Sequence, residues 1–260
     1  MKACWGLAAV TAGSKTSETV TARSFPRVMK RYSSRQISQT IRKYDTTTVE
    51  VEVDDKLQLS MLETSDPYAL LDRLIEQEQS DGRDRVTRFP YWAEIWPAAL
   101  ALSRWFVDTA QPPERALELG CGLGLVGVTL ARLGWTVEAT DYVEDALVFT
   151  AHNAARNGVG GRHIVSYLDW SHPVGTPGGV LVGSDVAYEK SLHPYLLRTV
   201  RVLLAPGGRL ILSDPGRPAA RPFLEAMSRA GYDHRTEEVQ VTWNSLDHRV
   251  DIHTFIRPSS

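Results

Sequence analysis

Four acidic residues each follow a run of the sequence that predicts a buried β-strand. They are Asp141, Asp169, Asp185 and Asp214. The carboxyl ends of parallel strands meet at one edge of a sheet, and ligands bind beyond that edge. One such acid alone is usually a helix cap or a solvated loop residue. Four of them on one edge predict a ligand site.

The hexapeptide SDVAYE, Ser184–Glu189, combines an acid and an aromatic residue at the end of one such run. One interpretation places both side chains in a ligand site at this edge of the sheet. The alternative is structural: Asp185 caps a helix and Tyr188 packs in its first turn.

The strongest local signal is a glycine-rich turn, ELGCGLG, at Glu118–Gly124. Its glycines at 120, 122 and 124 permit positive φ angles and let a ligand approach the backbone closely. Asp141 ends the next predicted strand, where a carboxylate can accept both hydroxyls of a ribose. The turn therefore predicts a nucleoside-containing ligand.

Two other interpretations of this turn remain open. Gly122, Gly124 and Gly127 also satisfy the GxGxxG spacing of nicotinamide-dependent oxidoreductases. The turn could also serve only strand–helix packing. Glu118 favours a sulfonium donor over a dinucleotide. A negative charge in the strand would repel the pyrophosphate of a dinucleotide, whereas a sulfonium donor has no phosphate.

Strand and helix patterns alternate from residue 115 onward, and two strand-like segments close the chain. This order predicts an α/β fold, doubly wound and mostly parallel, with helices on both faces and an antiparallel C-terminal strand pair. We expect the domain to cover residues 45–260. Within it, residues 45–88 form a lead-in with a strand at 46–53 followed by a helix.

The first 44 residues have a different composition, with nine Lys or Arg residues against one acid, Glu18. Such a basic, Ser-rich segment is typical of a flexible arm or of a mitochondrial transit peptide. We therefore expect residues 1–44 to be a flexible N-terminal extension. The expected location is the cytoplasm, or the mitochondrial matrix if this segment is a transit peptide.

Bulk composition argues against several classes of function. The 260-residue chain has a net charge of −2, so no global basic field favours nucleic-acid binding. No apolar stretch reaches the roughly 20 residues of a membrane span. Its two cysteines form no CxxC or His/Cys cluster, so no metal site is predicted.

From about Phe89 to the C-terminus, the chain resembles the seven-β-strand (class I) S-adenosylmethionine-dependent protein-lysine methyltransferases. Within them it is most similar to the branch that methylates the electron-transfer flavoprotein β-subunit. The resemblance rests on the segments PYWAEIWPAALALSRW, ALELGCGLGLVG, TDY, HNAARNG, LDW, SDVAYE and SDPGRP. The segment LLAPGGRLILS also has the Pro-Gly-Gly turn into a strand that is typical of class I methyltransferases. It implies a Rossmann-like sheet of seven strands. Val186-Ala187 departs from that branch, where the pair between the acid and the aromatic is larger.

The resemblance also implies a role for each candidate residue. S-adenosyl-L-methionine would be the cofactor, and the residues around it would be Trp96, Glu118, Gly120, Gly122, Gly124, Asp141, Asp169 and Trp170. The glycines would follow its methionine part, Asp141 would hold the ribose, and Asp169 with Trp170 would flank the adenine. Trp96 would close the donor pocket.

On the acceptor side, the resemblance implies that Asp185 and Tyr188 line the entrance for the target amine. A free lysine amine has a pKa of about 10.4, and because a nearby carboxylate raises it further, Asp185 is better suited to dock the amine than to deprotonate it. The Tyr188 ring could wall the alkyl chain. The predicted function is methyl transfer to lysine side chains of a protein, such as the electron-transfer flavoprotein β-subunit or a ribosomal protein. The alternatives are a small-molecule methyltransferase of the same fold, a nicotinamide-dependent oxidoreductase, and a binding protein that kept the pocket.

Overall fold

The computed structural model describes residues 29–80 and 89–259. Most of the basic N-terminal segment, residues 1–28, lies outside the described residues. The strands are β1 Met29–Lys30, β2 Thr46–Glu52, β3 Gln58–Thr64, β4 Arg115–Leu119, β5 Thr136–Asp141, β6 His163–Tyr167, β7 Gly178–Ser184, β8 Leu204–Asp214, β9 Asp233–Trp243 and β10 Leu246–Ile256. The helices are α1 Ser34–Ile41, α2 Pro67–Ser80, α3 Pro97–Thr109, α4 Leu125–Arg132, α5 Glu144–Arg156, α6 His193–Leu203 and α7 Arg221–Arg229.

The main sheet has the strand order β1-β6-β5-β4-β7-β8-β10-β9. Strands β4 to β8 are parallel, while β10 runs antiparallel to both β8 and β9. The predicted fold is confirmed: β4 to β10 are seven strands of a doubly wound sheet. The chain turns to opposite sides at β4 and β7, and this switch point opens a crevice at the carboxyl edge.

The central strands are buried on both faces, which explains their continuous apolar runs. Val180, Leu181 and Val182 of β7 are fully buried, as are Leu210 and Ile211 of β8. Helices cover both faces, and α3 packs beside α4 on the face that also holds Trp105 and Phe106. This core fixes the strand ends relative to one another.

A separate hairpin of β2 and β3 is attached to α5 by two asparagines. The buried Asn153 side chain accepts from the Leu62 N–H at 2.8 Å and donates to the Leu62 carbonyl at 3.1 Å. It also donates to the Leu123 carbonyl at 3.0 Å. Asn157 makes the same pair of bonds with Ser60. The lead-in hairpin is therefore tied to the glycine-rich turn through α5.

Residues 29–44 differ from the expected flexible extension. β1 pairs with the edge strand β6, and α1 begins with a capping box between Ser33 and Gln36. The Lys30 ammonium lies 2.6 Å from Glu144, and the Tyr44 hydroxyl donates to Asp145 at 2.5 Å. These contacts reach the first turn of α5, so the boundary expected at residue 45 does not coincide with a structural one.

Within residues 29–80 and 89–259, no helix has both the length and the apolar character to cross a membrane. Over the same ranges, no three His, Cys, Asp or Glu side chains cluster in a way that could hold a metal ion.

Candidate active site

A cavity of about 460 Å³ opens at the carboxyl edge of the sheet. It lies among the turns that follow β4, β5, β6 and β7 and the aromatic segment before α3. Nine of the ten predicted site residues line it: Trp96, Gly120, Gly122, Gly124, Asp141, Asp169, Trp170, Asp185 and Tyr188. The tenth, Glu118, does not.

The glycine-rich turn has the backbone conformation that its sequence predicts. Gly120, Gly122 and Gly124 have φ angles of +64°, +53° and +82°. A Cβ atom on Gly124 would lie 2.6 Å from Cγ2 of Thr150, and one on Gly120 would lie 3.1 Å from Cγ1 of Val186. Both the conformation and the space therefore require glycine here.

Asp141 lies at the end of β5 with its carboxyl group almost fully buried. One oxygen accepts from the Gly122 N–H at 3.1 Å and the other from the Val143 N–H at 3.0 Å. Burial raises its pKa, while these backbone donors oppose the rise. Each carboxylate oxygen can accept a further hydrogen bond. The residue therefore fits a ligand with two adjacent hydroxyls.

Sequence reasoning missed the support behind this turn. The Thr150 hydroxyl donates to the Gly122 carbonyl at 2.7 Å, and Asn153 holds the Leu123 carbonyl. Both side chains come from α5, one helical turn apart. The segment HNAARNG carried a signal for Asn153, since a polar side chain on a helix face that must be buried needs partners.

Glu118 is placed differently from the prediction. Its side chain is 1% exposed, and its Oε2 would lie 2.4 Å from a Cβ atom on Gly127, beside the His163 ring. Burial raises the pKa of Glu118 to about 8, although the Gly127 N–H partly opposes this. The carboxyl group is therefore mostly neutral at pH 7. Glu118 therefore carries little of the negative charge that would repel a pyrophosphate.

Asp169 and Trp170 follow β6 on the far side of the cavity. Asp169 accepts from the Ser171 hydroxyl at 2.7 Å and its N–H at 2.8 Å, and these bonds lower the pKa of Asp169. The Trp170 ring lies 3.5 Å from the position of a Cβ atom on Gly120. An indole face beside the glycine-rich turn suits a planar base.

The cavity lining also contains a group of five side chains, which we name the acceptor cluster and define as Tyr91, Trp96, Asp185, Tyr188 and Arg217. Its centre is a bidentate ion pair. The Arg217 Nε lies 2.6 Å from one carboxylate oxygen of Asp185, and an Arg217 terminal nitrogen lies 2.5 Å from the other. The bond to Asp185 raises the pKa of Arg217. Arg217 belongs to the segment SDPGRP after β8, and nothing in a linear pattern pairs residues 32 positions apart.

Asp185 is not a helix cap. The next helical turn is a 3-10 turn at Lys190–Leu192, and its N-terminal cap is Glu189. Asp185 has a left-handed φ of +51°, and its N–H donates to the Ser213 carbonyl at 2.8 Å. The left-handed conformation is uncommon for a residue other than glycine, although aspartate tolerates it better than most. It points to a fixed position for this side chain.

Arg217 is positioned by the turn after β8. Its N–H donates to the Asp214 carboxylate at 2.9 Å, and its guanidinium lies 5.8 Å from the Trp96 ring centre. Asp214 thus supports the site from behind and does not line the cavity. Trp96 lies in the cavity as predicted, but its contacts are with the acceptor cluster.

Aromatic rings complete the acceptor cluster. Tyr91 lies 5.0 Å from Tyr188 and 5.8 Å from Trp96, measured between ring centres. The Trp96 indole N–H donates to the Tyr91 carbonyl at 2.8 Å. Burial raises the pKa of Tyr188, which therefore stays neutral near pH 7. Such rings can enclose an alkyl chain and reduce its contact with water.

Comparison with known proteins identifies a family, two relatives and a solved structure. The profile of the lysine methyltransferase family matches residues 87–230. The chain is 34% identical over 171 residues to EEF1A lysine methyltransferase 3 from Mus musculus, an alignment covering 60% of this chain and 72% of the mouse protein. It is 32% identical over 133 residues to ribosomal protein L11 methyltransferase from Thermus thermophilus, covering 51% of each chain.

The alignment thus spans only about half the length of the Thermus relative. Among solved structures, magnesium protoporphyrin IX methyltransferase from Synechocystis, with S-adenosylhomocysteine bound, superposes with a TM-score of 0.49. The two sequences are 16% identical, and the superposition covers 74% of this chain and 100% of that one.

Proposed function

The chain belongs to the lysine methyltransferase family, and we propose that it transfers methyl groups from S-adenosylmethionine to lysine side chains of a protein. One observation carries this proposal. A single cavity joins the glycine-rich turn and Asp141 to the acid and aromatic of SDVAYE. Val186, inside that hexapeptide, packs against the position of a Cβ atom on Gly120.

The donor half of the cavity, defined by Gly120, Gly122, Gly124 and Asp141, suits this cofactor. The turn exposes backbone beside the methionine part, and Asp141 offers acceptors to the ribose hydroxyls. Among the described lining residues, Arg217 is the single Lys or Arg, and it is paired with Asp185. A donor without phosphates therefore suits the site better than a dinucleotide. When bound, S-adenosylmethionine supplies an electrophilic methyl group.

The acceptor cluster would hold and orient a lysine. Rings of Tyr91, Trp96 and Tyr188 would wall its alkyl stem, and Asp185 would accept a hydrogen bond from its amine. Orientation at the reacting centre is the main contribution expected of the protein, because the displacement needs no covalent intermediate.

The acceptor protein is the open part of the proposal. The resemblance to the electron-transfer flavoprotein branch and the name of the Thermus relative suggest that flavoprotein's β-subunit and ribosomal protein L11 as first acceptors to test. The location of the protein, in the cytoplasm or in the mitochondrial matrix, stays a prediction. Sequencing of the mature N-terminus would check whether a transit peptide has been removed.

Labelling with radioactive S-adenosylmethionine tests the function directly. The purified enzyme is incubated with a lysate from a deletion strain, and the labelled band is identified by mass spectrometry. We expect mono-, di- or trimethylation on a lysine Nε. Label confined to small molecules would support the small-molecule alternative.

A thermal-shift comparison separates the oxidoreductase alternative. We expect stabilisation by S-adenosylhomocysteine and none by NAD, since ligand binding to the folded state raises stability by mass action. The reverse result would contradict the proposal. Donor binding without methylation of any proteome fraction would favour a binding protein.

A further inference from the structure

A lysine amine must lose its proton before it can accept a methyl group. The acceptor cluster contains a carboxylate, that of Asp185, which opposes this deprotonation. The ordinary pKa of the amine is about 10.4. The Asp185 carboxylate would raise it further, because a negative charge favours the ammonium form. Water exclusion acts in the opposite direction but leaves the negative charge of the carboxylate in place.

The structure shows that this charge is already paired. Arg217 meets Asp185 through two short bonds, while its side chain is 36% exposed and that of Asp185 is 10% exposed. Asp185 is thus the more buried partner of the ion pair and Arg217 the more exposed one, and both residues line the cavity.

Charged, titratable and aromatic groups surround the Arg217 guanidinium. The charged or titratable ones that act on it are Asp185, Asp214 and Tyr91, and the Trp96 ring lies over the guanidinium. Burial raises the pKa of Asp214. A guanidinium stays protonated throughout the range in which an amine titrates.

The rest of the cavity offers no second cation of this kind among its described lining residues. Its further carboxyl groups are those of Glu94, Asp141 and Asp169. The other titratable lining groups are the Cys121 thiol and the phenols of Tyr91, Tyr142, Tyr188 and Tyr195. Without Arg217 the cavity would carry acidic groups alone.

We propose that Arg217 keeps the acceptor lysine uncharged, by neutralising Asp185 and standing as a fixed cation beside the amine. This inference rests on the proposed lysine methyltransferase function. Arg217 acts through charge and is a positioning residue. A cationic neighbour is a general means of activating a lysine nucleophile.

The lysine ammonium releases its proton to bulk water, and the neutral nitrogen uses its lone pair to form the new N–C bond. The C–S bond of the donor breaks, its electron pair stays on sulfur as a thioether, and the positive charge passes to nitrogen. Asp185 keeps its carboxylate throughout, held by Arg217, and accepts a hydrogen bond from the amine.

The test is the pH dependence of single-turnover methylation at saturating acceptor, because that rate reports ionisations in the enzyme–substrate complex. The acceptor is the protein recovered from the labelled lysate band. Arg217→Gln removes the cation and leaves Asp185 unpaired. A unit charge about 6 Å away at an effective dielectric of about 20 shifts a pKa by about two units. On the acidic side of the pH–rate profile, we expect the pH at which the rate is half-maximal (the midpoint) to rise by that amount in Arg217→Gln. The rate should recover at high pH.

Two variants serve as matched comparisons. Arg217→Lys keeps the positive charge but loses the bidentate geometry, so we expect a lower rate with the midpoint near wild type. Asp185→Asn removes the negative charge, so the midpoint should fall while the rate drops. Opposite midpoint shifts in Arg217→Gln and Asp185→Asn are the signature of an electrostatic role.

Three outcomes would overturn the inference. An equal loss of rate at every pH in Arg217→Gln, with donor affinity and unfolding temperature retained, would mean that Arg217 only shapes the cavity. A faster reaction at every pH would mean that Arg217 blocks Asp185 in the free enzyme. A wild-type enzyme that binds donor but methylates no lysine would overturn the proposed function itself, and this role with it.

Discussion

The donor half of the cavity is built from backbone and from buried polar groups that already have partners. The acceptor cluster is built from side chains contributed by three separate segments of the chain. In the donor half, Asp141 is held by two backbone N–H groups and the turn is braced by Thr150. In the acceptor cluster, Asp185 is held by one side chain, Arg217, which is partly exposed.

Because of this difference, we expect substitutions in the two regions to have different effects. A site made of backbone allows few substitutions, because each glycine position is fixed by φ and by contacts behind it. A site made of paired side chains can change partner without altering the fold. We expect variants in the donor half to lose the cofactor, and variants in the acceptor cluster to lose turnover while keeping it.

The largest expected effect is that of Gly124→Ala. The new Cβ atom would lie 2.6 Å from Thr150 at a φ of +82°, so the turn must move. We expect a loss of S-adenosylhomocysteine affinity on the order of 100-fold or more, measured by calorimetry, because the whole turn carries the contact. Gly158→Ala is the control, with a φ of +72° and no atom within 4 Å. Normal affinity in Gly124→Ala would show that the turn is not the donor site.

The next largest effect is on turnover, in Asp185→Asn. The substitution keeps the size of the side chain and tolerates the left-handed backbone, but removes the charge that pairs with Arg217. We expect methyl transfer to fall by about 10²-fold or more with donor affinity nearly unchanged. Tyr188→Phe should cost less, because the ring remains. Wild-type turnover in Asp185→Asn would refute its docking role.

A smaller loss of donor affinity is expected for Asp141→Ala. The ligand loses a charged acceptor, so binding should weaken by roughly 1–3 kcal/mol. Asp145→Ala is a matched control, since that acid lies on the next helix and bonds to Tyr44 and Lys43 instead of lining the cavity. Equal losses in both variants would point to a general effect of the region rather than to a contact with the ligand.

Glu118→Gln should change donor affinity by less than about threefold, because the side chain does not line the cavity. Its effect should appear in stability. The folded-state pKa is about 8 against an ordinary 4.5, so the folded chain binds more protons between these values. The free energy of unfolding should therefore fall as pH rises through this window, by up to about 1.4 kcal/mol per pH unit.

Urea unfolding at several pH values from 5 to 9 checks this sign. We expect the fall contributed by Glu118 to be absent in Glu118→Gln, leaving a shallower dependence on pH. A strong loss of donor affinity in the variant would instead show that Glu118 belongs to the donor site, as the sequence predicted.

The smallest expected effect is that of Tyr44→Phe, which removes the hydroxyl bound to Asp145 but keeps the ring packed on Trp92 and Phe149. The free energy of unfolding should fall by about 1 kcal/mol, with turnover near wild type. Tyr44→Ala should cost more, since it also removes the ring. A large loss of donor affinity in Tyr44→Phe would mean that the N-terminal contacts with α5 tune the donor half directly.

Much of the fold and of the donor half could be predicted from the sequence. From residue 115 onward, the strand and helix order and the antiparallel closing pair agree with the structure, whereas β3, between the predicted strand at 46–53 and the helix after it, was not predicted. Nine of the ten site residues line one cavity. The exception is Glu118, because a strand pattern indicates that a residue is buried but not which neighbour its side chain meets.

The sequence by itself determined the glycine-rich turn, because ELGCGLG is local: three glycines within five residues specify the turn through their own φ angles. Only the tertiary structure decided the partner of Asp185. β7 and β8 lie side by side in the sheet, so the turns at their carboxyl ends bring Arg217 to Asp185 across 32 residues. A charge in a loop has no periodicity, and its partner depends on which strands become neighbours.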